Sequence, residues 1–261
     1  MADCMETKID VRGCEVFLRR GGKGEPLLFL HGAGGIPGWI PAFQGLADRF
    51  DLLVPDHPSF GQSDQPDWLD DMNDLAMFYL DFLDTLDLDG VHLVGQSLGG
   101  WLALEIAVRN SARLKSLTLV GSAGIRIKGK PIADIFMMDP DDLTRALFCD
   151  PSHAERILGM SLTEEQIDVQ IRNRVSTARL GWQPRLFNPS LRKWLHRITV
   201  PVHVVWGDSD RIIDPAYAGE FARVLKGAEV TMIEKAGHLP HIEQAGPFVS
   251  AVSGFISGRA A

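Results

Sequence analysis

Ser97 lies in Gly95-Gln96-Ser97-Leu98-Gly99, where an unbroken apolar run, Val91-His92-Leu93-Val94, gives way to a segment of helical period. A serine on so sharp a strand-to-helix turn takes a strained backbone conformation that exposes its hydroxyl. Gly95, Gly99 and Gly100 allow the tight crossing because they carry no Cβ. The start of a helix also supplies free N–H groups and a dipole that favour negative charge. A serine hydroxyl is a weak nucleophile until a base removes its proton, and the base needs a carboxylate to hold its tautomer. Both kinds of partner occur downstream at strand ends. His238 sits in Ala236-Gly237-His238-Leu239-Pro240, shortly after the run Val230-Thr231-Met232-Ile233. Asp208 and Asp210 follow Val202-His203-Val204-Val205-Trp206-Gly207, with Asp214 a turn further on. Serine, aspartate and histidine in this chain order make a set able to transfer an acyl group.

The elements that must carry these residues alternate along the chain. Leu27-Leu28-Phe29-Leu30, Leu52-Leu53-Val54 and Leu117-Thr118-Leu119-Val120 repeat the short apolar run before Ser97, as strands covered on both faces do. Helical spacing fills about 41–49, 72–86 and 98–109 between them, which predicts an α/β fold with a mostly parallel sheet. From about 125 to 197 the alternation stops. Apolar clusters such as Ile135-Phe136-Met137-Met138 are broken by Pro131, Pro140, Pro151, Pro184 and Pro189, which predicts an inserted group of short helices. The sheet pattern resumes at Val202, with helices expected near 215–225 and 243–257. The acidic stretch from Asp67 to Asp89 reads as a solvated helix face.

Composition narrows the function classes. The 261 residues are 45% hydrophobic and 23% charged, which suits a globular protein and not a disordered one. With 26 basic and 34 acidic residues the net charge is −8, so nucleic acid and anionic membrane surfaces are poor partners. Cys4, Cys14 and Cys149 offer neither a disulfide framework nor a thiolate zinc site, and no signal-like or membrane-spanning apolar run is seen. A cytoplasmic protein with a small-molecule substrate is expected; oligomeric state is not encoded in these patterns. His238 and His241 form H-x-x-H without a third ligand placed by pattern, and Gly32, Gly34 and Gly38 miss dinucleotide-loop spacing. No metal or cofactor is expected.

Over nearly its full length the sequence resembles the α/β-hydrolase superfamily. The resemblance is carried by Phe29-Leu30-His31-Gly32-Ala33-Gly34-Gly35, Pro55-Asp56-His57-Pro58-Ser59-Phe60-Gly61-Gln62-Ser63-Asp64, the turn around Ser97, Trp206-Gly207-Asp208-Ser209-Asp210, and Ala236-Gly237-His238. It implies a core of 1–124 and 198–261 with a helical lid, 125–197, inserted in it. It also implies Asp210 as the acid, three residues beyond the glycine ending its strand, and the backbone N–H groups of Ala33 and Leu98 as an oxyanion hole. Ser59 departs from the family's usual glycine. Ser97 separates the chain from relatives with an aspartate nucleophile.

The implied reaction is hydrolysis of a small carboxylic ester through an acyl-enzyme, with Phe136, Met137, Phe148 and Trp182 of the lid lining the substrate pocket. Carbon–carbon bond hydrolysis of the meta-cleavage type is a rival. It is disfavoured by Leu239, where those enzymes carry tryptophan, and favoured if Arg172, Arg174 or Arg179 binds a substrate carboxylate. Lactone hydrolysis and perhydrolysis would use the same three residues. A ligand-binding receptor retaining a hydrolase site is the alternative from another class.

Overall fold

A computed structural model of the chain describes residues 4–258; the ends of the expected core, 1–3 and 259–261, lie outside the described residues. Eight strands form one sheet: β1 (Cys4–Val11), β2 (Cys14–Gly21), β3 (Pro26–Leu30), β4 (Asp51–Pro55), β5 (Val91–Gln96), β6 (Leu114–Val120), β7 (Val202–Gly207) and β8 (Glu229–Ile233). Their spatial order is β1-β2-β4-β3-β5-β6-β7-β8, with only the β1–β2 and β2–β4 pairings antiparallel. Placing β5 in the middle puts Ser97 at the centre of the sheet's carboxyl edge, where open α/β sheets bind their ligands.

The apolar runs are unbroken because both faces of the sheet are covered. Within β3, Leu27 and Phe29 pack on one side with α1 (Pro41–Ala47) and α9 (Ala245–Ser257), through Phe43, Leu46, Phe248 and Val252. Leu28 and Leu30 pack on the other with α2 (Met72–Thr85) and α3 (Leu98–Arg109), through Leu75, Phe82, Leu102 and Ile106. Side chains alternate across a strand, so every position in such a strand must be apolar. The acidic stretch forms α2 as expected, and Asp71 caps it by accepting from the N–H groups of Asn73 and Asp74.

Between β6 and β7 the chain runs through α4 (Pro140–Leu147), α5 (Pro151–Leu158), α6 (Glu164–Gly181) and a 3-10 helix, Leu191–Arg197. The first two are short, as anticipated. The third is not: α6 has 18 residues, opened by a capping box in which Thr163 and Gln166 exchange hydrogen bonds. After β7 come α7 (Ala216–Val224), β8, the single turn α8 (Pro240–Glu243) and α9. Among the described residues no helix is long and apolar enough to cross a membrane.

Candidate active site

Ser97 joins β5 to α3 with φ 54° and ψ −113°, a conformation that L-residues avoid. Four backbone hydrogen bonds hold it there: its N–H donates to Val120 O, and its carbonyl accepts from Gly100, Trp101 and Ala123. The crossing is too close for side chains. A Cβ on Gly95 would come within 2.3 Å of Gly99 O, and one on Gly99 within 2.2 Å of Leu30 O. Ser97 itself keeps partial exposure, so its hydroxyl is accessible.

His238 reaches this hydroxyl from the loop after β8. Its Nε2 lies 2.9 Å from Ser97 Oγ, and its Nδ1 lies 2.8 Å from Asp210 Oδ2. The second oxygen of Asp210 accepts from the N–H groups of Ile212 and Ile213 at 2.8 and 2.9 Å. Those two donors fix the carboxylate's rotation, so Oδ2 is the oxygen that faces the imidazole. A carboxylate can only accept, which puts the proton on Nδ1 and leaves Nε2 as an acceptor toward the serine.

The other two carboxylates face elsewhere. Asp208 is exposed and accepts from the Ser209 hydroxyl at 2.8 Å. Asp214 caps the approach to α7 through Ala216 N–H and pairs with Lys130 at 2.7 Å, a contact that lowers its pKa. An open depression of about 390 Å³ lies beside this loop, lined by Cys149, Asp208, Ser209, Asp210 and Arg211.

Ala33 and Leu98 flank the serine. Leu98 opens α3, so the helix offers its N–H no acceptor. The loop bearing Ala33 presses on the turn, since a Cβ on Gly32 would lie 3.1 Å from Ser97 Cβ. The peptide plane that carries the Ala33 N–H is held by its carbonyl: Gly32 O accepts from Gly35 N–H at 3.1 Å and from His31 Nδ1 at 2.7 Å. His31 has one possible tautomer, because its Nε2 accepts the His57 backbone N–H at 3.0 Å. Behind it, His57 accepts from the Tyr79 hydroxyl and donates to His31 O. Burial pushes the pKa values of both histidines down, so the stacked pair is neutral.

The four insertion residues expected around the substrate differ in their surroundings. Phe148 is sealed at 1% exposure and stacks on His153, whereas Met137 stands 71% exposed. Phe136 and Trp182 meet edge to face at 5.3 Å, with the Arg185 guanidinium 3.8 Å over the Trp182 ring. Arg172 and Arg179 donate to the backbone carbonyls of Gly61 and Leu69, and Arg174 reaches Phe136 O at 3.5 Å. These guanidinium groups bind the protein's own backbone.

Three side chains that sequence reasoning passed over tie the site together. Gln96 donates to His238 O at 3.2 Å, and its Oε1 fills the space where a Gly32 Cβ would stand. Glu243 accepts N–H groups from Gly237, Cys149 and Asp150, clamping the His238 loop to the α4–α5 connection. Asn173 of α6 joins the Gly34 carbonyl to the Gly61 N–H. No local sequence pattern marks these roles, because each side chain answers backbone groups that meet it only in the folded chain.

Residues 27–251 match the alpha/beta hydrolase family. Among curated proteins, the dihydrolipoyllysine-residue acetyltransferase component of the acetoin cleaving system of Cupriavidus necator is 28% identical, over 95% of this chain and 68% of its own. The 2-hydroxy-6-oxo-6-(2'-aminophenyl)hexa-2,4-dienoic acid hydrolase of Metapseudomonas resinovorans is 27% identical, over 98% of this chain and 92% of its own. Among solved structures, a membrane phospholipase A described as a bacterial virulence factor superposes with a TM-score of 0.83 at 25% identity, over 99% of this chain and 87% of that one. These similar proteins carry differently named chemistries, so the likeness fixes the family and not the substrate. The chain belongs to the alpha/beta hydrolase family, and it is a hydrolase.

Proposed function

We propose that the protein is a serine hydrolase that cleaves a small carboxylic ester through an acyl-enzyme. The observation that carries this reading is the relay from Asp210 through His238 to Ser97, with both hydrogen bonds under 3 Å. His238 Nε2 takes the hydroxyl proton as Ser97 Oγ attacks the ester carbonyl. The N–H groups of Ala33 and Leu98 meet the oxyanion, and His238 then protonates the departing alcohol. Water enters, gives its proton to His238 and attacks the acyl-enzyme, and the acid leaves as Ser97 regains its proton. Asp210 stabilises the imidazolium formed at each stage. The neutral, buried His241 nearby adds no competing positive charge.

We further propose that 125–197 covers the site as a lid on the core formed by 1–124 and 198–261, and that substrate choice lies in this cover. Phe136 and Trp182 are its candidates for contact with the acyl or alcohol group. Carbon–carbon bond hydrolysis is the weaker reading, because Arg172 and Arg179 are engaged by backbone carbonyls and Leu239 follows His238. Cys4, Cys14 and Cys149 are all free thiols, which supports work in a reducing, cytoplasmic setting.

The test is fluorophosphonate labelling with peptide mapping, run beside a panel of p-nitrophenyl esters of increasing acyl length, a lactone and a vinylogous diketone. Label on Ser97 with turnover of short esters is expected. Turnover of the diketone alone would move the function to carbon–carbon cleavage, and label without any turnover would favour a receptor.

A further inference from the structure

We propose that Asn173 and Thr177, on the inserted helix α6, are positioning residues for the oxyanion loop. In this view the insertion sets transition-state stabilisation as well as covering the site. The inference rests on the reading of the Ala33 N–H as an oxyanion donor.

The loop Gly32-Ala33-Gly34-Gly35 has almost no side chains of its own with which to hold a shape, and glycine explores more backbone conformations than any other residue. Its geometry must therefore come from what its carbonyls bind. Gly32 O is held from within the core by His31 and by Gly35 N–H. The next two carbonyls are held from the insertion. Thr177 Oγ1 donates to Ala33 O at 3.2 Å, and Asn173 Nδ2 donates to Gly34 O at 3.0 Å.

Peptide groups are rigid planes, so pinning the Ala33 and Gly34 carbonyls fixes the rotations on the far side of the Ala33 N–H. Rotation of the Ala33–Gly34 plane would break the Thr177 bond, and rotation of the next plane would break the Asn173 bond.

Asn173 is built into this place. It is 5% exposed, and its amide is used at both ends, since Oδ1 accepts Gly61 N–H at 2.9 Å. A Cβ on Gly35 would lie 2.5 Å from Asn173 Nδ2, so the loop and the amide are in close contact. Gly35 also has φ +76°, which a side chain would resist. Thr177 is 2% exposed. The inward face of α6 is thus polar at the positions that meet the loop, where a helix held only by packing would present apolar side chains. Other bonds from the same helix, such as Arg179 to Leu69 O, reach backbone distant from the loop and tether the helix without touching it.

The experiment compares Asn173→Asp, Thr177→Val, Thr177→Ser and Arg179→Gln with wild type. Active sites are first titrated with a fluorophosphonate, so that misfolded protein is not counted. Then kcat and KM per titrated site are measured with p-nitrophenyl acetate, and Ki with a trifluoromethyl ketone, whose hydrate-like adduct carries the oxyanion. Asn173→Asp removes the donor to Gly34 O, and Thr177→Val removes the donor to Ala33 O. Each should lower kcat per site by roughly 10- to 100-fold, less than the loss of a direct oxyanion donor, with KM within about 3-fold and the ketone Ki raised in proportion to the kcat loss. Thr177→Ser keeps the hydroxyl and should restore kcat, and Arg179→Gln should leave it unchanged.

Unaltered kcat per site in Asn173→Asp and Thr177→Val, or an equal loss in Arg179→Gln, would overturn the assignment while leaving the hydrolase reading intact. Wild type that neither labels at Ser97 nor turns over the ester would overturn both.

Discussion

Replacing the carboxylate of Asp210 by an amide, Asp210→Asn, tests the relay most sharply, because the structure dictates how the amide must sit. Asp210 Oδ1 accepts two backbone N–H groups, from Ile212 and Ile213, and Oδ2 faces His238 Nδ1. An amide nitrogen cannot accept, so the oxygen of the new side chain stays with the two N–H donors and its NH₂ turns to the imidazole. His238 Nδ1 must then accept, which moves the ring proton to Nε2, opposite Ser97 Oγ. In that tautomer the histidine donates to the serine and cannot take its proton. The expected loss in kcat is up to about 10⁴-fold, or roughly 5.5 kcal/mol of barrier. Folding should survive, since the bonds to Ile212 and Ile213 remain. Asp208→Asn should be silent because that side chain is exposed and, among the described residues, is hydrogen-bonded by the Ser209 hydroxyl alone. Asp214→Asn should be mild: asparagine still accepts Ala216 N–H, and only the exposed pair with Lys130, worth about 1 kcal/mol or less, is lost. The assay is p-nitrophenyl acetate turnover with melting temperature for all three variants. Near-normal turnover in Asp210→Asn, with loss in Asp208→Asn or Asp214→Asn and folding intact, would refute the reasoning.

Ser97→Ala should abolish covalent labelling and lower turnover by on the order of 10⁴-fold or more, as read by probe fluorescence and ester hydrolysis. Glu243→Gln weakens a carboxylate that accepts three backbone N–H groups on the His238 loop and the segment it clamps. It should lower the melting temperature by roughly 3–6 °C and reduce turnover together. His241→Leu should relieve an acid weakness: the ring is buried between Phe29 and Phe248, its Nδ1 has no partner among the described residues, and its pKa falls from 6.5 to about 3. Folded His241 stays neutral while the unfolded chain takes up a proton below pH 6.5. Stability is therefore lost as pH falls from 6.5 toward 3, by about 2 kcal/mol at pH 5. Urea unfolding at pH 7 and pH 5 should show that increment missing from the variant, and an unchanged pH dependence would remove His241 as the cause.

What could be read from the sequence is what packing writes into residue type. β3 to β7 are covered on both faces, so their runs are apolar throughout, and the tight crossing at Ser97 requires glycines that stand out in any sequence. β1 and β2 were not anticipated. β1 is an edge strand with four successive residues, Met5 to Lys8, facing solvent, and no apolar run marks it. Phe136, Met137, Phe148 and Trp182 read as pocket residues in the sequence because they are large and apolar inside the insertion. Size and hydrophobicity do not distinguish a residue that lines a pocket from one sealed like Phe148 or one standing in solvent like Met137.

In α6 the usual sign of burial is reversed. Ile167, Ile171 and Val175 recur at helical spacing and would be taken as the inward stripe, yet they are 44%, 57% and 53% exposed. The buried positions include Asn173, Ser176, Thr177 and Leu180. A helix usually faces the core through apolar side chains because its neighbours are apolar. Here the neighbours are loops whose carbonyls, at Ala33, Gly34 and Ser59, take their donors from the helix. Leaving a buried carbonyl without a donor costs about 1–3 kcal/mol. Polar side chains are then the better filling, and hydrophobic periodicity points to the wrong face. The same logic explains why Gln96 and Glu243 went unnoticed: each satisfies backbone groups of loops that meet only in the folded chain. Residues that do chemistry at strand ends carry a local signature. Residues that hold those loops in place carry none, because their partners lie far off in sequence, 139 positions away for Asn173 and Gly34.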